Sequence, residues 1–117
     1  MKLLVCGSRG WTNYEGIERV LDDVLSKEDD LTIIHGGANG ADSMAAFWAK
    51  HRDVHQETYL PAYEVYARRE APLIRNEFMC CLFPDRVVAF WDGVSRGTQH
   101  TLEYAKLLGI PTETWRA

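Results

Sequence analysis

The chain has 117 residues, 46% hydrophobic and 26% charged, with 13 basic side chains against 17 acidic ones and a net charge of −4. That length makes one domain, 1–117, which buries about 65% of its unfolded surface and needs no cross-links to hold a core. The composition excludes disorder as the main state. The acidic balance argues against nonspecific nucleic-acid binding, which relies on a surplus of cations to neutralise phosphates.

The first apolar run, Leu3–Cys6, is too short for a signal-peptide core or a membrane span, so a cytoplasmic location without a membrane partner is expected. It reads as a strand and runs into Gly7-Ser8-Arg9-Gly10-Trp11. A capping box, Thr12-Asn13-Tyr14-Glu15, then opens a helix whose apolar side is Ile17, Val20, Leu21, Val24 and Leu25. The second strand, Leu31–His35, leads into Gly36-Gly37-Ala38-Asn39-Gly40-Ala41-Asp42 and a helix carrying Met44, Ala45 and Trp48. A weaker strand covers Val54–Leu60, and the connection Pro61–Ala71 receives no element. The third helix carries Leu73, Ile74, Phe78, Met79 and Leu82, with Pro72 in its first turn. The fourth strand, Arg86–Trp91, enters Asp92-Gly93-Val94-Ser95-Arg96-Gly97-Thr98 and a helix with Leu102, Ala105 and Leu108, stopped by Gly109 and Pro111. A weaker strand, Pro111–Trp115, ends the pattern.

Strands one, two and four are continuously apolar, as strands covered on both faces are. With right-handed crossovers this predicts an α/β three-layer, Rossmann-like sandwich around a parallel five-stranded sheet of order 3-2-1-4-5.

Ligands of open parallel sheets bind beyond the carboxyl ends of the strands, at the point where the strand order reverses. All three glycine-rich loops fall at those ends, and each feeds a helix whose free N–H groups favour an anion. Glycine is common in such turns for backbone reasons alone, so one loop would say little. Three loops on one sheet edge, with Arg9 and Arg96 able to bond phosphate oxygens, point to a phosphate or nucleotide site. None matches the P-loop or the GxGxxG fingerprint, and no acid ends strand two, so a usual NAD or ATP site is not expected and no cofactor is implied.

With Asn39 as the N-cap, Asp42 would sit at the third helical position, where it either complements the helix dipole or meets a ligand hydroxyl. Thr98 reads as an N-cap facing the same crevice. Arg75 and Asn76 are a polar pair in an apolar helix, either solvent-facing or functional. Trp11 and Trp91 flank the crevice, for core packing or for stacking on a base. Arg68-Arg69 reads as solvated, or as reaching phosphates or a partner chain. His35 reads as a hydrogen-bonded structural residue, the other histidines share no metal-ligand spacing, and all three cysteines read as reduced thiols.

Taken together, GSRGW, HGGANGAD, the Pro-Ala-Tyr segment, IRNEFM and AFWDGVSRGT resemble the YspA-like, cpYpsA-related branch of the SLOG superfamily, across nearly the whole chain. Other branches include the Lonely Guy phosphoribohydrolases. The resemblance implies a Rossmann-like domain that binds a nucleotide or nucleotide-derived small molecule, commonly as a homodimer or higher homo-oligomer. Its implied ligand residues are Gly7, Ser8, Arg9, Gly36, Gly37, Gly40, Asp42, Arg75, Asn76, Asp92, Gly93, Ser95, Arg96, Gly97 and Thr98, to which Trp11 is added as a base-stacking candidate. The phosphoribohydrolase branch carries a PGGxGTxxE glutamate that helps cleave the N-glycosidic bond. Thr101 stands in its place here, and Glu103 lies too far along the helix to replace it. The expected function is therefore binding, as a sensor or sequestering protein, with no catalytic residue assigned. N-glycosidic hydrolysis and a purely structural dimer are the alternatives.

Overall fold

A computed structural model describes residues 1–116. Strands β1 (Lys2–Gly7), β2 (Thr32–His35), β3 (His55–Thr58), β4 (Arg86–Trp91) and β5 (Thr112–Arg116) alternate with helices α1 (Tyr14–Lys27), α2 (Ala41–His51), α3 (Ala71–Cys81) and α4 (Arg96–Leu107). All four pairings are parallel and the sheet order is β3-β2-β1-β4-β5, as the sequence pattern predicts.

The continuous apolar strands divide by alternation between two cores. Leu3, Val5, Ile33, Val88 and Phe90 face α1 and α2, meeting Ile17, Leu21, Ala45 and Trp48. Leu4, Cys6, Ile34, Val87 and Ala89 face α3 and α4, meeting Met79, Cys80, Leu102 and Ala105. Leu3, Leu4, Val5 and Val87–Phe90 are wholly buried, which is why β1 and β4 carry no polar residue in their middles. Polar links tie α1 to α2: Trp48 Nε1 donates to Asp22 Oδ1 at 2.8 Å, and Arg52 bridges Asp22 and Glu18 at 2.9 and 3.0 Å. No helix among the described residues is long and apolar enough to cross a membrane.

Three helix starts differ from expectation by one to three residues. The N-cap of α1 is Asn13, whose Oδ1 accepts from Gly16 N at 3.1 Å, because its side chain rather than that of Thr12 reaches the third helical amide. The N-cap of α2 is Gly40, not Asn39, and that of α4 is Ser95, which places Thr98 inside the helix. Within the connection ahead of α3, single turns close from Ala62 to Val65 and Tyr66 and from Ala67 to Glu70 and Ala71.

Candidate functional site

The three loops meet over the carboxyl ends of β1, β2 and β4 and enclose a cleft of about 560 Å³ against α3. Of the predicted residues, Gly7, Arg9, Asp42, Arg75, Asn76, Asp92, Ser95, Arg96, Gly97 and Thr98 line it. Gly36 and Gly37 line an adjoining hollow of about 270 Å³ that shares Arg9 and Arg75 with the cleft.

Ser8, Trp11, Gly40 and Gly93 line neither space, and nor does Trp91. Trp11 is buried in the core on the α1 side, its ring 5.6 Å from that of Phe90 and its Nε1 donating to Asn13 O at 2.9 Å, so it has no free face for a base. Trp91 is held similarly outside the cleft: Nε1 donates to Ser95 O at 3.0 Å and the Arg116 guanidinium lies 5.1 Å from its ring centre. Ser8 is buried beneath the loops, where its Oγ accepts from Asp92 N at 2.9 Å and its carbonyl accepts from Ala41 N at 3.2 Å. Gly40 packs on the backbone of Ser8 and Arg9, and Gly93 on the Arg116 guanidinium. Ser8, Gly40 and Gly93 thus build the rim, while both tryptophans lie outside the cleft.

Arg75 and Asn76 face inward and brace the site. Arg75 Nη1 donates to Gly36 O at 2.6 Å and to Tyr59 O at 3.3 Å, while its Nε donates to Asn76 Oδ1 at 2.8 Å. Asn76 Nδ2 then donates to Gly97 O at 3.3 Å. One chain of bonds thus joins the loop after β2, helix α3 and the start of α4. A Cβ at Gly36 would fall on the Arg75 guanidinium, so the glycine is what lets that brace close. Burial pulls the Arg75 guanidinium below its ordinary value, and the nearby Asp42 carboxylate works against that pull.

Asp42 lies in the first turn of α2, where an acid complements the helix dipole, and it has a further task that the sequence does not show. Its Oδ2 accepts from Gly36 N at 3.0 Å and Ala38 N at 3.3 Å, folding the loop after β2 back over the helix. Burial pushes its carboxyl above the ordinary range, against those two bonds and the Arg75 charge. His35 fixes the same loop from beneath. Gly37 N donates to its Nδ1 at 3.0 Å, which leaves Nε2 to donate to Gln56 Oε1 at 2.8 Å.

What remains free is cationic. Among the described residues, Arg9, Arg69 and Arg96 are exposed and enter no ion pair, and with Arg75 they set four arginines against Asp42 and Asp92 in the cleft wall. The first amides of α4 have no side-chain cap, since Ser95 Oγ lies 3.4 Å from Thr98 Oγ1 instead. An uncapped helix start beneath unpaired guanidinium groups is a setting for a multiply charged anion.

The sequence model of YAcAr, the YspA, cpYpsA-related SLOG family, matches residues 1–66. The Gene 61 protein of Mycobacterium phage D29 is 33% identical over 116 residues, covering 94% of this chain and 92% of that protein. The chain belongs to this SLOG family. Its fold is also that of DNA processing protein A (DprA) from Streptococcus pneumoniae, with a TM-score of 0.78 over 97% of this chain at 19% identity. The chain spans about half, 49%, of that DprA chain.

In this SLOG domain the cleft wall includes residues that sequence spacing did not single out as ligands. Cys6, next to last in β1, forms part of the floor, but burial holds its thiol well above the ordinary range, so no thiolate nucleophile stands there. Arg69 reaches the cleft from a connection with no periodicity to orient it, and an adjacent arginine pair carries no sign of which member points inward. Thr101, at the position of the phosphoribohydrolase glutamate, is buried in the wall and donates its hydroxyl proton to Gly97 O at 3.0 Å.

Asp92 closes the β4–α4 turn, its Oδ1 accepting from Ser95 N and Val94 N, both at 2.8 Å. These amides, that of Ser95 foremost, hold its carboxyl below the ordinary value of 3.8. An acid with a depressed native value adds stability above its unfolded value and loses it as pH falls through the native one. The Val94 and Ser95 amide resonances are therefore expected to titrate together in NMR spectra, with a midpoint below 3.8. A midpoint above that value would contradict this turn geometry.

Proposed function

We propose that the cleft captures a phosphorylated nucleotide or nucleotide-derived small molecule and holds it without cleaving it, in a sensing or sequestering role. The observation that carries the reading is the convergence of Arg9, Arg69 and Arg96, from three separate segments, above the uncapped start of α4. Phosphate oxygens would take the Arg96–Thr98 amides and the guanidinium donors, replacing bonds to water with charge-assisted ones. The Arg75–Asn76 brace would keep the loops at fixed spacing, so little ordering entropy is lost on binding.

Hydrolysis is the weaker reading because, among the described residues, the acids of the cleft wall serve to fold the loops. Thr101 replaces the glutamate, both Asp42 and Asp92 already accept two backbone amides, and Cys6 stays protonated. A homo-oligomer is part of the proposal. Phe47 on α2, 52% exposed between Tyr14 and His51, is an apolar residue available to a second copy.

Calorimetry with mono-, di-, cyclic and ADP-ribose-type nucleotides, with single-stranded DNA as a further arm, tests the reading. At least one nucleotide is expected to bind, and Arg96→Ala to weaken it about 10- to 100-fold, the worth of one charged hydrogen bond. Indifference to every nucleotide, or capture of DNA alone, would reject it. Nucleotide recovered intact after long incubation separates binding from hydrolysis.

A further inference from the structure

Beside the arginine cleft lies a groove of about 360 Å³ between α3 and the segment that follows β3. Its wall is largely apolar, with Leu60, Ala62, Tyr66, Ala71, Ile74 and Phe78 contributing. Leu60, Tyr66 and Phe78 are 70%, 42% and 51% exposed, although side chains of this size gain from burial. Arg75 borders the cleft, the smaller glycine-lined hollow and this groove alike, and Leu60 borders the last two. The three spaces therefore adjoin one another at Arg75, cationic on the side of the cleft and apolar on the side of the groove.

From this we infer that the groove is the nucleobase subsite: a ligand whose phosphate rests among Arg9, Arg69 and Arg96 lays its planar base against Tyr66 and Phe78. The inference rests on the proposed phosphate site and names the part of the ligand that the cleft leaves unaccounted for. Arg75 suits the junction. Its guanidinium is held by the Gly36 and Tyr59 carbonyls, and a fixed, flat cation next to aromatic rings favours a π-face. The Tyr59 ring lies 5.5 Å from that of Phe78 and stiffens the groove wall. Neither tryptophan can take this role, because Trp11 is buried in the core and Trp91 is held between Ser95 and Arg116. Because the wall offers few donors or acceptors, it grips the face of a base instead of reading its edge. Affinity should then follow stacking area, with adenine ahead of uracil.

Calorimetry with adenosine 5′-monophosphate, uridine 5′-monophosphate and ribose 5-phosphate tests this, on the wild type and on Phe78→Ala, Tyr66→Ala and Arg96→Ala. Both aromatic residues are largely exposed, so both truncations should fold, as circular dichroism would check. The wild type should bind adenosine 5′-monophosphate about tenfold or more tightly than ribose 5-phosphate, the worth of one stacked base. Phe78→Ala and Tyr66→Ala should erase that gap and leave ribose 5-phosphate affinity unchanged, whereas Arg96→Ala should weaken all three probes. A gap that survives both truncations, or no gap in the wild type, overturns the base subsite while the phosphate site stands. Failure of all three probes to bind the wild type counts against the phosphate site and the base subsite with it. Should Phe78→Ala instead split a dimer in light scattering without changing affinity, the groove belongs to a second copy and the inference fails.

Discussion

Gly40→Ala is expected to remove much of the folding stability, about 2–6 kcal/mol against a typical domain total of about 5–15 kcal/mol. Gly40 sits at φ 76°, ψ −124°, a backbone conformation that residues with a Cβ rarely adopt. A Cβ there would also fall on the carbonyls of Ser8 and Arg9. Those groups cannot yield readily. The Ser8 carbonyl accepts from Trp11 N and Ala41 N, and its hydroxyl accepts from Asp92 N. Backbone strain and steric overlap thus act on the same atom set, at the point where the loops after β1, β2 and β4 lock together. Urea unfolding should show a large fall in midpoint with little change in slope. A loss under about 0.5 kcal/mol, the range of ordinary surface changes, would mean that the rim is not built this way.

Replacing Arg75 by alanine should damage both stability and ligand capture. The change leaves the Gly36 carbonyl and Asn76 Oδ1 without their donor and frees the loop after β2 from α3. Charge-assisted bonds to partly buried carbonyls put the expected cost at about 2–4 kcal/mol. Arg75→Lys should recover little of it, since an ammonium group cannot span the Gly36, Tyr59 and Asn76 oxygens as a planar fork does. Nucleotide affinity should fall in both variants, further than in Arg96→Ala, because the brace sets the spacing of the loops that carry Arg9 and Arg96. Equal stability and affinity in wild type and Arg75→Ala would overturn the bracing role.

The sheet was legible because its signal is local and repeated. Runs such as Leu3–Cys6 and Arg86–Trp91 carry the mark of strands covered on both faces, and the helices between them favour parallel order. The loops that form the cleft were legible for the same reason, since every strand-to-helix turn of such a sheet reaches the same edge. Roles within those loops were not. Asp42 carries the same chemistry whether it meets a ligand or caps Gly36 and Ala38, and only the backbone path decides between the two. Arg75 and Asn76 give no helical-face signal that tells an inward brace from a solvent-facing turn, because two adjacent residues sample too little of the period. The position of Trp11 after the glycine loop suggests the crevice, but the chain turns after Gly10 and returns the ring to Phe90. Arg69 depended on the fold of the connection before α3, where no periodic pattern exists to orient it.

In the proposed function, one rim gathers its cationic groups to hold a small anion. Titrating inorganic pyrophosphate into isotope-labelled protein while following backbone amide shifts would reveal such a site. Saturable shifts are expected at Arg9, Gly10, Ala38 and Arg96–Thr98, with little change at Glu113 and Trp115 on β5. Shifts scattered over the surface in proportion to nearby lysine and arginine, or none at the start of α4, would contradict it.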